Sequence, residues 1–205
     1  IAQDYSLNPT KPTLDGEPNY EDHPVDPWPT WQPENGYFRD WDVRKQTYRS
    51  VFAGGCGVTY GHHFIWQMWD QGHKPQNNGS ELFSWREALN RPGAGQMQYL
   101  RLLMESRPYF DRLPDQSLLV DPPTNGHDHM QATRDQNGSY AFIYLPTNRP
   151  ININLSQMQG ETIAISWFNP RSGEHTQVKS IKKVAAQVFT PPSDGPDWVL
   201  ILDAK

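Results

Sequence analysis

The chain has 205 residues, room for one large domain or two small ones, and 36% of them are hydrophobic. Its formal net charge is −5 with no basic run, which argues against nucleic acid or an anionic membrane surface as a partner. No run of about 18 apolar residues codes a membrane-spanning helix, and a single cysteine, Cys56, excludes an intrachain disulfide and a cysteine-based zinc site.

The first predicted element is a short strand over residues 13–15, ended by Gly16. Glu17, Tyr20, Glu21, Asp22 and His23 follow at once. Residues 22–36 hold Pro24, Pro27, Pro29 and Pro33 and read as a long rigid surface loop. A helix follows, with Asp40 as its N-cap, Tyr48, Val51 and Phe52 as its apolar face, and Gly54-Gly55 as its stop. The stretch CGVTYGHHFIW reads as a buried strand leading into a loop, with Cys56 as a small buried residue. Ser84 and Glu87 match a capping box. A second helix over 94–106 places Met97, Leu100 and Met104 on one stripe and stops before Pro108. Strand, loop, helix, strand, loop, helix is the βα pattern of a parallel sheet or barrel.

From about residue 116 the hydrophobic period becomes two. MQATR, SYAFIYLP, ININ, TIAISWF, HTQVKSI, AQVFT and DWVLILD read as seven short strands, with SYAFIYLP apolar on both faces and therefore central. That count over some 90 residues suggests a self-contained antiparallel sandwich, with Phe142, Trp167 and Trp198 in its core. The histidines 127 and 129 sit in a Gly/Pro-bounded loop and read as exposed. His62, His63 and His73 lack the helical spacing of a zinc set. Asn78, Asn137 and Asn154 each open a glycosylation sequon.

The carboxylates after the first strand raise the question of function. In a parallel barrel, functional side chains stand at strand ends and on the loops that follow. Glu17 is at such an end, and Glu21 and Asp22 are on the loop. The loop after the next strand carries Tyr60, His62, His63 and Trp66. Adjacent parallel strands bring both loops to one rim. A carboxylate among Tyr, His and Trp is the material of a sugar-cleaving site. On the residues alone, a solvated loop charge and a packed histidine pair account for the same pattern.

The runs KPTLDGEPNYE, GGCGVTYGHHFIW and GAGQMQYLRLLMESRPYFDRLPDQSLL resemble the C-terminal part of the apiosidase-like glycoside hydrolases, glycoside hydrolase family 140 and relatives. SYAFIYLP, WFNPRSGE and FTPPSDGPDWVLILD resemble the β-domain, labelled collagen-binding, that follows that barrel. The resemblance implies an α/β plus all-β fold. About two βα units of a (β/α)₈ barrel would span residues 1–114, and an antiparallel β-sandwich residues 115–205. It implies a retaining mechanism on side chains of plant or microbial polysaccharides, with no cofactor and no metal. Glu17 matches the family's nucleophile, Glu21 is the reserve, and Tyr20, Tyr60, His62 and Trp66 match sugar-contacting rim positions. A whole barrel takes about 250 residues. The acid/base partner is therefore expected outside this chain, on a missing N-terminal half, and the chain alone is expected to be inactive. That half, or a second copy, is expected to cover the open sheet edges. The resemblance also implies a secreted or periplasmic protein. The alternative reading is a non-catalytic carbohydrate- or protein-binding module.

Overall fold

A computed structural model describes residues 1–25, 33–76, 83–120 and 126–205; Pro27 and Pro29 of the proline loop and the Asn78 sequon lie outside them. After a one-turn helix α1 (Ala2–Tyr5), strand β1 (Leu14–Asp15) runs parallel to β2 (Gly57–Val58), with Leu14 opposite Gly57 and Asp15 opposite Val58. Parallel neighbours need a long crossover. Helix α2 (Asp40–Phe52) lies within it. The N-cap of α2 is Arg39, one residue before the predicted Asp40, because the Asp42 carboxylate reaches back to accept the Arg39 N–H at 2.9 Å. The helix stops at Gly54, whose φ of +105° suits glycine; a Cβ there would also sit 2.4 Å from the Tyr5 ring.

Cys56 is exposed, contrary to expectation. It sits in the turn out of α2, where its N–H donates to the Thr13 carbonyl, and the strand that follows is only half-buried. Two further one-turn helices, α3 (His63–Trp66) and α4 (Trp85–Ala88), precede α5 (Pro92–Glu105). The capping box at Ser84 and Glu87 forms as predicted. Helix α5 begins two residues earlier than its apolar stripe suggested. Pro92 opens it, a first-turn position where a missing N–H costs nothing.

The remaining strands are β3 (Arg112–Pro114), β4 (Gln131–Asp135), β5 (Tyr140–Leu145), β6 (Ile151–Asn154), β7 (Thr162–Phe168), β8 (His175–Lys182), β9 (Ala186–Phe189) and β10 (Trp198–Ala204). They form a six-stranded antiparallel sheet, β3-β4-β5-β10-β7-β8, and a separate ribbon, β6-β9. The strand predicted to be central, β5, is buried along its whole length between β4 and β10.

The ribbon packs on one face of the sheet. Ile151, Ile153 and Phe189 meet Ile143, Leu145, Ile165, Trp167, Trp198 and Leu200 there. The opposite face carries Tyr140, Phe142, Tyr144, Phe168, Val199 and Ile201, and it packs on Tyr48, Val51 and Phe52 of α2 and on Leu100, Leu103 and Met104 of α5. Phe142 therefore faces the helices, stacking on Phe52 at 6.1 Å, and does not share a core with Trp167 and Trp198 as the sequence suggested. Strand parity explains this: 142 points opposite to 143 and 145. The sheet is a shared layer between ribbon and helices. A polypeptide of residues 113–205 alone uncovers the six helix-facing side chains. It is expected to bind a hydrophobic dye or aggregate at micromolar concentration. A dye-free monomer with a cooperative unfolding transition would show that α2 and α5 are dispensable to the sheet.

Candidate functional site

Beyond β1 the chain turns at Gly16 into residues 17–22, and both ends of this segment are tied to α2. Ser50 Oγ donates to Asp15 Oδ2 at 2.5 Å. The Asp22 N–H donates to the Phe38 carbonyl at 2.8 Å, just ahead of α2. The parallel pairing of β1 and β2 resumes as a bridge between Glu21 and His62, with Glu21 N–H on the Gly61 carbonyl at 3.0 Å and His63 N–H on the Glu21 carbonyl at 2.9 Å. The two loops named from the sequence thus lie side by side.

The three carboxylates of the segment have three different surroundings. Glu17 is exposed and lines an open cavity of about 400 Å³ with Pro18, Asn19, Tyr20, His23, Phe38 and Trp66. The Tyr20 hydroxyl donates to Glu17 Oε1 at 3.3 Å. Burial first, and then the Glu17 charge, raise the Tyr20 pKa, so the phenol stays protonated and able to donate. The Tyr20 ring lies against Gly61, where a Cβ would stand 2.3 Å from it.

Glu21 is wholly buried. Its Oε2 accepts the Tyr60 hydroxyl at 2.6 Å and the Gly93 N–H at 3.0 Å. Gly93 is the second residue of α5, so a carboxylate 72 positions upstream caps that helix where its unpaired N–H groups and dipole favour an anion. A Cβ on Gly93 would stand 2.4 Å from Glu21 Oε2, so only glycine fits. Burial raises the Glu21 pKa, outweighing the hydrogen bonds from Tyr60 and Gly93 that lower it. The Tyr60 pKa is also raised, by burial and then by its bond to Glu21.

Asp22 is buried with φ of +59°, a left-handed conformation that Asp tolerates better than most residues. Its carboxylate accepts Arg39 Nη1 at 2.5 Å, Arg91 Nη2 at 2.9 Å and His62 Nε2 at 3.2 Å. His62 Nδ1 accepts the Phe64 N–H at 3.1 Å, so the ring proton sits on Nε2 and both nitrogens are engaged. Burial opposes the charge on Asp22, but hydrogen bonds from His62, Arg91 and Arg39 prevail and lower its pKa. A depressed carboxylate pKa stabilises the fold above the ordinary Asp value of about 3.9, and that contribution is lost as pH falls through the lowered value. Asp22→Asn is expected to cost about 2–3 kcal/mol at pH 7 and to flatten the acid limb of a stability–pH curve measured by chemical denaturation.

Of the residues singled out in the sequence, Glu17, Tyr20 and Trp66 share the cavity, and Trp66 is 46% exposed. Glu21, Tyr60 and His62 make the supporting layer described above. His63 is buried, edge-on to His23 at 4.8 Å, with Nε2 paired to the Gln76 carbonyl at 3.1 Å. His23 and Phe38 line the cavity without having been anticipated. Gly61 and Gly93, the two positions that admit Tyr20 and Glu21, were also missed. Their signals were a glycine ahead of a histidine pair and a glycine just after a helix-opening proline. Among the described residues no group of three His, Cys, Asp or Glu is placed to hold a metal ion. Of the 127–129 segment, His127 is exposed as expected and His129 is half-buried, and both are held in place. His127 stacks on Trp41 at 5.7 Å, and Arg49 donates to the carbonyls of Gly126, His127 and His129.

Residues 1–111 match the family described as "Apiosidase-like, catalytic domain". Residues 113–203 match the family described as "Putative collagen-binding domain of a collagenase". A solved structure titled "Glycoside hydrolase" is 33% identical, with a TM-score of 0.88 over 98% of this chain and 44% of its own. A glycoside hydrolase family 5 structure from Bacteroides vulgatus ATCC 8482 is 32% identical, with a TM-score of 0.88 over 97% of this chain and 42% of its own. The chain thus spans less than half the length of these solved structures. No curated protein matches it.

Proposed function

The chain belongs to the apiosidase-like glycoside hydrolase family, and from that membership we propose that it carries the nucleophile half of a retaining glycosidase site, with Glu17 as the nucleophile. The observation that carries this reading is the contrast among the three carboxylates. Asp22 is paired with two arginines and accepts a hydrogen bond from His62, and Glu21 is sealed beneath Gly93. Glu17 alone of the three opens into the aromatic-lined cavity.

The chemistry follows from that position. Glu17 attacks the anomeric carbon and forms a glycosyl ester while an acid/base carboxyl about 5–5.5 Å away protonates the departing oxygen; water, activated by the same acid/base, then releases the sugar. Tyr20 holds Oε1 of Glu17 by its hydrogen bond, which leaves Oε2 for the attack. The half-exposed Trp66 offers a ring face to a sugar. Tyr60 and His62 act beneath the site, through Glu21 and Asp22, more than by touching substrate.

We assign residues 1–114 to the last two βα units of a barrel and 115–205 to the β-domain. The acid/base partner would come from the strands preceding β1, in keeping with relatives more than twice as long. An apolar cleft of about 490 Å³ beside β2, lined by Val58, Met97, Leu100, Met104, Tyr109 and Phe110, fits a surface that those strands cover; Phe110 is 97% exposed. Substrates of the polysaccharide side-chain class and a secreted or periplasmic location belong to the same reading. The match of residues 113–203 favours a second reading, a carbohydrate- or protein-binding module without catalysis.

A panel of 2-deoxy-2-fluoro glycosides with good leaving groups, incubated with the longer enzyme and followed by peptide mapping, separates the two. A stable adduct on Glu17 is the expected result. An adduct on another carboxylate would overturn the assignment, and sugar or protein binding with no adduct on any carboxylate would favour the module.

A further inference from the structure

We propose that the C-terminal sheet positions the Glu17 segment through α2, by a link that runs from a buried Asp197–Arg44 pair to a half-buried contact between Ser50 and Asp15. Its catalytic meaning rests on Glu17 being the nucleophile; the mechanical link does not.

Asp197, the residue ahead of β10, is 0% exposed, and Arg44 of α2 is 1% exposed. Arg44 binds it through two parallel bonds, Nε to Oδ2 at 2.9 Å and Nη2 to Oδ1 at 3.0 Å. Tyr144 of β5 donates to Oδ2 at 3.0 Å, and Arg171 donates to the Asp197 carbonyl at 2.9 Å. The third Arg44 nitrogen, Nη1, donates to Asp40 Oδ2 at 2.5 Å and to Gln96 Oε1 at 2.6 Å. One guanidinium thus joins the sheet, α2 and α5. Apolar packing between sheet and helices allows a helix to slide. A two-pronged arginine–carboxylate pair fixes its angle and register as well.

From α2 the link divides. Ser50 near its C-terminal end and Gln46 at its middle donate to Asp15 Oδ2 at 2.5 and 3.4 Å. At its N-terminal end, Arg39 pairs with Asp22 and the Phe38 carbonyl accepts the Asp22 N–H. Helix α5 adds Gly93 on Glu21 and Arg91 on Asp22. Glu17 lies between the clamps at Asp15 and Asp22; the first is borne by the helix that Asp197 anchors, and the second by Phe38 and Arg39 at the start of that helix, shared with Arg91 and His62. The sheet is then part of the frame that aims the carboxylate, not an appended unit.

Hydrogen–deuterium exchange on the full protein tests this. In Asp197→Asn the amides of residues 15–22 are expected to exchange about tenfold faster, while those of the β6–β9 ribbon keep their rate. Equal acceleration of ribbon and segment would mean general loosening and would overturn the link, as would an unchanged segment. Should Asp197→Asn fail to fold, Ser50→Ala decides. It removes one hydroxyl at the far end of the link and is expected to speed exchange at residues 15–22 severalfold without changing β10; an unchanged segment overturns the proposal. Turnover gives the separate readout. With Glu17 as nucleophile, Ser50→Ala lowers kcat and leaves KM nearly constant. If exchange responds but Glu17→Ala leaves turnover intact, the link stands and the nucleophile assignment falls.

Discussion

Glu17→Ala is expected to lower glycoside turnover by on the order of 10⁴-fold in the enzyme that includes this chain, and azide is expected to restore part of the loss. The argument is geometric. With Glu17 as the proposed nucleophile, alanine removes the attacking oxygens; the carboxylate is exposed in an open cavity, so the space it vacates is reachable from solvent. On that reading, a small anion that enters there meets the anomeric carbon from the face assigned to Glu17. It forms a glycosyl azide with inverted configuration while the acid/base carboxyl protonates the departing group. Glu17→Gln fills the same space without a nucleophile, so it should be as slow and resist rescue. Activated aryl glycosides, whose leaving groups need little protonation, are the substrates on which rescue is clearest. Near-normal turnover in Glu17→Ala would remove the assignment.

What was legible in the sequence was the short-range pattern. The two-faced apolar run of β5, the capping box at Ser84 and the stop of α5 before Pro108 depend on neighbours a few positions away, and all three appear. What was not legible depends on partners far along the chain. Strand β3 is three residues with no alternation; its Arg112 is held by Val51 and Gly55 carbonyls at the end of α2. Phe142 could be assigned to a core, but which of two cores depends on what covers each face of the sheet. The same holds for the site. That the loops after β1 and β2 lie side by side was legible because residue types and strand ends are local signals. The different surroundings of Glu17, Glu21 and Asp22 were not, because they are set by Gly93, Arg91 and Arg39, which come together only in three dimensions.

Glu21→Ala is expected to destabilise the fold by about 3 kcal/mol, because it strands the Tyr60 hydroxyl and the Gly93 N–H and leaves a cavity under the start of α5. Glu21→Gln keeps the volume and one oxygen able to accept both donors, so its cost should stay within about 1 kcal/mol. The pH dependence separates the charge from the cap. A carboxyl whose folded pKa is raised contributes most below its unfolded value of about 4.3, and that contribution fades as pH rises through the folded value. Glutamine carries no such charge, so Glu21→Gln should lose less stability than the native chain across that rise. This is opposite in sign to the acid-limb effect of Asp22 next door. Denaturation of both variants over a pH series reads the difference. Gly93→Ala reaches the same contact from the other side, since its Cβ would stand 2.4 Å from Glu21 Oε2 and would have to push the carboxylate or the helix aside. A cost below about 1 kcal/mol for Glu21→Ala would mean that α5 does not depend on this cap. Glu21 would then be free for a role at the cavity, and the contrast that singles out Glu17 would weaken with it.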